Sequence, residues 1–227
     1  MGEGRVQFQQ EIQRLEEQAL GGLDMVVGLL DEALEALDQC DAELAAIVVA
    51  DDDRIDGRYL EVHQGVLSLL ARQAPVAGDL RLVAALLHLV KHLERIGDQC
   101  TNIAKMVPLL GHEPPTDDQI VERIRAMGAQ ARSQVRQARQ SFALRDPELA
   151  LDLSRQDDTI DCMNREIFRR AIEVGGVDAD LREWAMSMVL VSRALERIGD
   201  NAVDIGEQTV FVVTGLFREL GEERAAR

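Results

Sequence analysis

Glu94, Asp98 and Asn102 follow one another at intervals of four residues, and so do Glu196, Asp200 and Asp204. On an α-helix this spacing puts three oxygen-bearing side chains on one face, within reach of a shared cation. Hard oxygens without His or Cys suit Mg2+, Mn2+, Ca2+ or an iron–oxo cluster better than zinc. Asp52/Asp56 and Asp157/Asp161 have the same i, i+4 spacing. Asp52 lies on an apolar seam through Val48, Ile55, Tyr59, Val62, Val66 and Leu69, and Asp157 lies among Leu153, Ile160 and Ile167. A carboxylate on a core seam needs a partner, because an unpaired buried charge is costly. The favoured partner is an Arg of a neighbouring helix; the alternative is that these aspartates add oxygens to a metal site. With 41 acidic residues in the chain, the bland reading of every stripe is a solvated helix face.

The elements that must carry these residues are helices. Gly, Pro and Asp divide the chain into six helical segments, at about 5–37, 41–73, 79–106, 116–144, 146–176 and 180–220. Asp41 and Asp146 are natural N-caps, with Pro147 at the first helical position, where its missing N–H costs nothing. Thr116 with Gln119 forms a capping box for the fourth segment. Pro75 breaks the second, Pro108 and the stretch to Pro115 end the third, and Gly175-Gly176 closes the fifth.

An internal repeat orders these segments. Leu93-Glu94-Arg95-Ile96-Gly97-Asp98 recurs letter for letter at 195–200, an offset of 102 residues. Asp53-x-Ile55-Asp56 matches Asp158-x-Ile160-Asp161 at an offset of 105, so the second half is three residues shorter at the turn holding Pro75. Such identity at matching places indicates duplication of a three-helix unit. The fold class is therefore all-α, two three-helix bundles in tandem: residues 1–107, a linker at 108–115, residues 116–220 and a tail at 221–227. In the third helix Leu82, Leu86, Leu89, Leu93, Ile96, Cys100, Ile103 and Val107 make a 4,3 seam, as in coiled-coil-like bundles. On that numbering the Glu94 and Glu196 stripes point outward, which predicts an exposed patch. Gly97 and Gly199 flank the seam, where they allow close helix approach. His88 and His92 are also four apart, but their repeat counterparts are Leu190 and Ala194, so they read as surface or partner-facing histidines.

Composition excludes several classes. A net charge of −16 repels phosphate backbones and argues against nucleic-acid binding. The longest apolar run, residues 44–50, falls far short of the ~20 residues needed to span a bilayer. Three widely spaced cysteines suit a reducing cytoplasm, and the polar N-terminus lacks the apolar stretch of a signal peptide. No HExxH, di-iron ExxH, P-loop, GxSxG or Cys–His signature is present, so the sequence shows no catalytic equipment. It shows no basic pocket either.

The doubled LERIGD segments, the turn Arg72-Gln73-Ala74-Pro75-Val76-Ala77-Gly78-Asp79-Leu80-Arg81 and the paired D-x-I-D segments together resemble the PhoU family. The resemblance covers about residues 6–220. It implies two three-helix bundles and a cytoplasmic, non-catalytic negative regulator of phosphate uptake and phosphate-starvation signalling. Such a protein is an adaptor between the ATPase of the phosphate ABC transporter and a sensor histidine kinase, is often a homodimer, and meets the membrane only through its partners. It further implies a multinuclear metal cluster of iron, zinc, manganese or magnesium on the E(D)xxxD motifs. These are Glu94/Asp98 with Asn102, Glu196/Asp200 with Asp204, Asp52/Asp56 and Asp157/Asp161. Lys105 stands where the second half has Glu207, so the second site is expected to bind metal better. Without a basic pocket, phosphate status is expected to arrive through the transporter. A metal-dependent enzyme built on the stripes and a metal-free helical interaction protein are the alternatives.

Overall fold

The computed structural model describes residues 2–217. Six α-helices follow in order: α1 (Gly2–Gln39), α2 (Ala42–Arg72), α3 (Gly78–Leu110), α4 (Asp118–Leu144), α5 (Pro147–Val177) and α6 (Ala179–Thr214). No strand occurs among the described residues. The α1–α2 and α4–α5 corners are built alike. Cys40 and Arg145, equivalent at the 105-residue offset, both take left-handed backbone, with φ of 52° and 56°. The N–H of the next residue then reaches back to close the preceding helix, Asp41 to Ala36 and Asp146 to Ser141, each at 2.9 Å. The Asp41 side chain accepts from the N–H groups of Glu43 and Leu44, and Asp146 from those of Glu148 and Leu149.

Four boundaries differ from the sequence expectation. Pro108 lies inside α3, exposed near its end, where one missing N–H is tolerable. Asp117, not Thr116, caps α4: its carboxylate accepts from the N–H of Ile120 at 3.1 Å and from Arg170 at 2.7 Å. Helix α5 continues through Gly175-Gly176 to Val177, because α6 packs back over Gly175, whose carbonyl accepts from Arg182 Nε at 2.6 Å. Helix α6 stops at Thr214, where Gly215 takes φ of 75°; the expected extension to Leu220 and the tail at 221–227 reach outside the described residues.

Each half is a three-helix unit, as the repeat predicts, but α3 also packs on α6 and α1 on α4. One buried apolar cluster runs from Phe8 on α1 to Ile205 on α6 and draws on all six helices. Helix α3 is buried nearly all round: Val83, Val90 and Ala104 are covered as fully as the seam residues Leu86, Leu93 and Ile103. On the outside, Arg125, Arg132, Arg139 and Arg145 on the α4 side pair with Asp38, Asp31, Asp24 and Glu16 of α1. No described helix is long and apolar enough to cross a membrane, and all three cysteines are free.

Candidate metal centre

In each half the two carboxylate stripes face each other across one helix pair. Gly97 lets α2 approach α3 closely: a Cβ there would stand 3.0 Å from Asp52 Oδ1 and 3.0 Å from Ile55 Cγ2. Gly199 does the same in the second half, 2.9 Å from Asp157 Oδ1. The approach concentrates negative charge. Burial raises the Asp98 pKa above its usual range, and Glu94 and Asp56 push it the same way. Asp52 is raised by burial, then by Asp56 and Asp98, with the Thr101 hydroxyl and Lys105 acting against them. Asp200 is pushed up to about 6, by burial first and then by Glu196, Asp161 and Asp204, against the pull of Arg193. The structure thus brings Asp52, Asp56, Glu94 and Asp98 together in the first half, and Glu196, Asp200, Asp161 and Asp204 in the second, with Asp157 beside Gly199.

Basic side chains border both clusters. Lys91 Nζ meets Glu94 at 2.6 Å. Arg193 Nη1 meets both oxygens of Glu196, at 3.1 and 2.9 Å, and Arg165 lies 3.7 Å from Asp161. The expected Arg partner of Asp52 is not found among the described residues; Thr101 and Lys105 are the groups that act to hold its charge instead. Asn102 is exposed on the far turn of its stripe. Asp204 turns toward the other half, its Oδ2 at 3.3 Å from His92 Nδ1. His92, expected at the surface, is buried where α3 meets α6, and its Nδ1 lies 2.9 Å from Asn201 Oδ1. Its pKa is held down by burial, against the favourable pull of Asn201 and Asp204.

The donor set fits a hard divalent cation: it is all oxygen, at least four side chains in each half, and its members already raise one another's pKa. Among the described residues no three such side chains are yet gathered at metal-shell spacing, so binding requires rotamer changes at these exposed and half-buried carboxylates. One residue that sequence reasoning missed lies beneath the second cluster. Gln134 of α4 is fully buried, and neither its amide oxygen nor its amide nitrogen has a hydrogen-bond partner among the described residues; its Oε1 also stands 2.9 Å from the Gly199 Cβ position. The α4 apolar spacing Met127, Ala131, Gln134, Ala138 would have marked it.

The absence of a basic pocket is corrected by the structure. Asn164, Arg165, Phe168, Arg169, Val189 and Arg193 line a groove of about 360 Å³ between α5 and α6. Its arginines come from two helices 24 or more residues apart, which no local pattern could join.

The raised carboxyl groups carry a pH signature. A carboxylate whose folded pKa exceeds its unfolded value binds more protons when folded, so its contribution falls as pH rises between the two values. For Asp200 that window runs from about 4 to about 6. His92 works in the opposite sense: burial lowers its folded pKa, so its contribution grows as pH rises toward its unfolded value. The comparison with Asp200→Asn isolates the carboxylate: in EDTA the variant should match the native chain at pH 4 and gain on the order of 1 kcal/mol at pH 7.5, allowing for solvent screening. Thermal melts at the two pH values check this; equal melting at pH 7.5 would remove the repulsion argument.

A family model described as the PhoU domain matches residues 23–107 and 124–209. The chain is 33% identical over 219 residues to the "Phosphate-specific transport system accessory protein PhoU homolog" of Pseudomonas putida, covering 96% of this chain and 85% of that protein. The Clostridium acetobutylicum homologue of the same name is 29% identical, covering 92% of this chain and 94% of its own length. Among solved structures, PhoU from Pseudomonas aeruginosa superposes with a TM-score of 0.87 at 29% identity, over 92% of this chain and all of that one. The phosphate transport system regulatory protein PhoU from Streptococcus pneumoniae gives 0.85 at 25% identity, over 93% and 99%.

Proposed function

The chain belongs to the PhoU family, and from that premise we propose that it is an accessory protein of a phosphate transport system that restrains phosphate uptake and starvation signalling. The observation that carries this reading is the match of both halves to one family domain, with 94% and 85% coverage of relatives named as phosphate-specific transport system accessory proteins. Its finer parts follow from the resemblance and the surface. The chain is a non-catalytic adaptor that docks the ATPase of the phosphate ABC transporter and a sensor histidine kinase through helix faces, the mode in which amphipathic helices recognise partner helices. It acts as a homodimer in the cytoplasm and reaches the membrane through those partners.

The carboxylate clusters serve this role as regulators of shape. A divalent or multinuclear centre, when bound, supplies positive charge that links α2 to α3 and α5 to α6. Asp52, Asp56, Glu94 and Asp98 would hold it in the first half; Asp157, Asp161, Glu196, Asp200 and Asp204 would hold it in the second. Lys105 already offsets part of the first cluster's charge, so the second binds more tightly. Deleting the gene in its host should switch on a phosphate-starvation reporter in phosphate-rich medium, and the native chain should restore silence. A reporter that stays silent after deletion would sink the proposal.

A further inference from the structure

The groove between α5 and α6 sets three arginines in a chain of net charge −16. Its floor is fixed: buried Asn164 accepts from Ser192 Oγ at 2.9 Å, so the two helices are pinned there. Phe168 stands on its wall with half of its surface exposed. Arg169 forms no ion pair among the described residues, whereas Arg193 and Arg165 are engaged by Glu196 and Asp161, both members of the second carboxylate cluster. The groove belongs to one half only. At the repeat offsets Leu60, His63 and Gln64 stand where the second half has Arg165, Phe168 and Arg169.

We propose that this groove binds a phosphate-bearing small anion with more than one negative charge, and that filling the neighbouring carboxylate cluster with a cation strengthens that binding. Guanidinium groups are planar forks that bond phosphate oxygens in pairs, and three of them around one groove exceed what a single phosphate needs. The volume lies within the range of small-molecule sites, about 300–1,000 Å³, and the Phe168 ring offers a face for an attached base. The coupling comes from shared carboxylates. A cation that takes Glu196 and Asp161 releases Arg193 and Arg165 toward the groove. Anion and cation then favour each other, as linkage requires. This second part rests on the metal reading of the cluster; the first does not.

Titration calorimetry on the full chain in EDTA, with inorganic phosphate, tripolyphosphate and ATP as probes, tests both parts without a metal that the probes could chelate. Tripolyphosphate should bind more tightly than phosphate, and Arg165→Ala/Arg169→Ala should weaken it at least tenfold with unchanged melting, since both residues are exposed. Tighter binding of ATP than of tripolyphosphate, lost in Phe168→Ala, would identify the source as a nucleotide; equal binding would identify the phosphate chain alone. Glu196→Gln/Asp161→Asn, which frees the arginines without any metal, should tighten binding several-fold. No binding by the native chain or by that variant, or binding indifferent to the arginine substitutions, overturns the groove. Binding that the Gln/Asn variant leaves unchanged overturns the coupling. A chain that proves metal-free but still binds tripolyphosphate through these arginines refutes the metal reading while sustaining the anion site.

Discussion

Elemental analysis of the tag-free chain is expected to find metal, and the variant Glu94→Ala/Asp98→Ala/Glu196→Ala/Asp200→Ala is expected to have lost it. The four residues are the paired carboxylates that α3 and α6 bring to the two clusters, and their removal leaves the α2 and α5 aspartates with only Asn102 and Asp204 on the facing helices. The same variant should melt higher than the native chain in EDTA, because Glu94 and Asp56 act on Asp98, and Glu196 and Asp161 on Asp200, by repulsion. Gain of stability with loss of metal is the pairing to expect of a binding site, since ligand geometry is assembled at the expense of the empty fold. Replacing only Glu196 and Asp200 should remove more metal than replacing only Glu94 and Asp98, given Lys105 beside the first cluster. Metal missing from native chain and variant alike, after supply of iron, manganese, magnesium and zinc, would return all four stripes to solvated faces.

A fragment of residues 1–115 is expected to fail as a cooperatively folded monomer. Helix α3 covers its side chains against α1, α2 and α6, and the buried apolar cluster passes through it into the second half. Removing α4–α6 would uncover part of that surface, at roughly 1.5–3 kcal/mol for each large aliphatic side chain returned to water. A handful of such residues exceeds the whole net stability of an ordinary domain, about 5–15 kcal/mol. Gel filtration with urea unfolding should show an oligomer or a broad, weakly cooperative transition. A monomer with a sharp transition would mean that the halves are independent domains after all.

Much of this was legible in residues. The doubled LERIGD segment placed α3 and α6, Asp41 and Asp146 marked the starts of α2 and α5, and the outward stripes became exposed or half-buried carboxylates. What escaped was tertiary. A 4,3 seam assigns one buried stripe to a helix, so it could not foresee His92, Thr101 and Ala104 buried on the other side of α3. Pro108 and Gly175-Gly176 read as terminators because local propensity favours stopping there, yet packing carries both helices onward. Gln134 and the groove arginines gain their meaning from neighbours on other helices, at separations that no spacing rule connects.

The buried contact of His92 with Asn201 and Asp204 makes the two long helices a pair of geared levers. Helix α3 has 33 residues and α6 has 36, each about 50 Å of stiff rod. His92 sits two residues before Glu94, and Asp204 is one turn beyond Asp200, so the tooth joining the rods lies beside both clusters. A slight tilt of one rod about that point is a larger sweep at its ends, and the partner rod must follow or surrender a buried hydrogen bond. The positions of the two rods are thus tied to each other at a point beside both clusters.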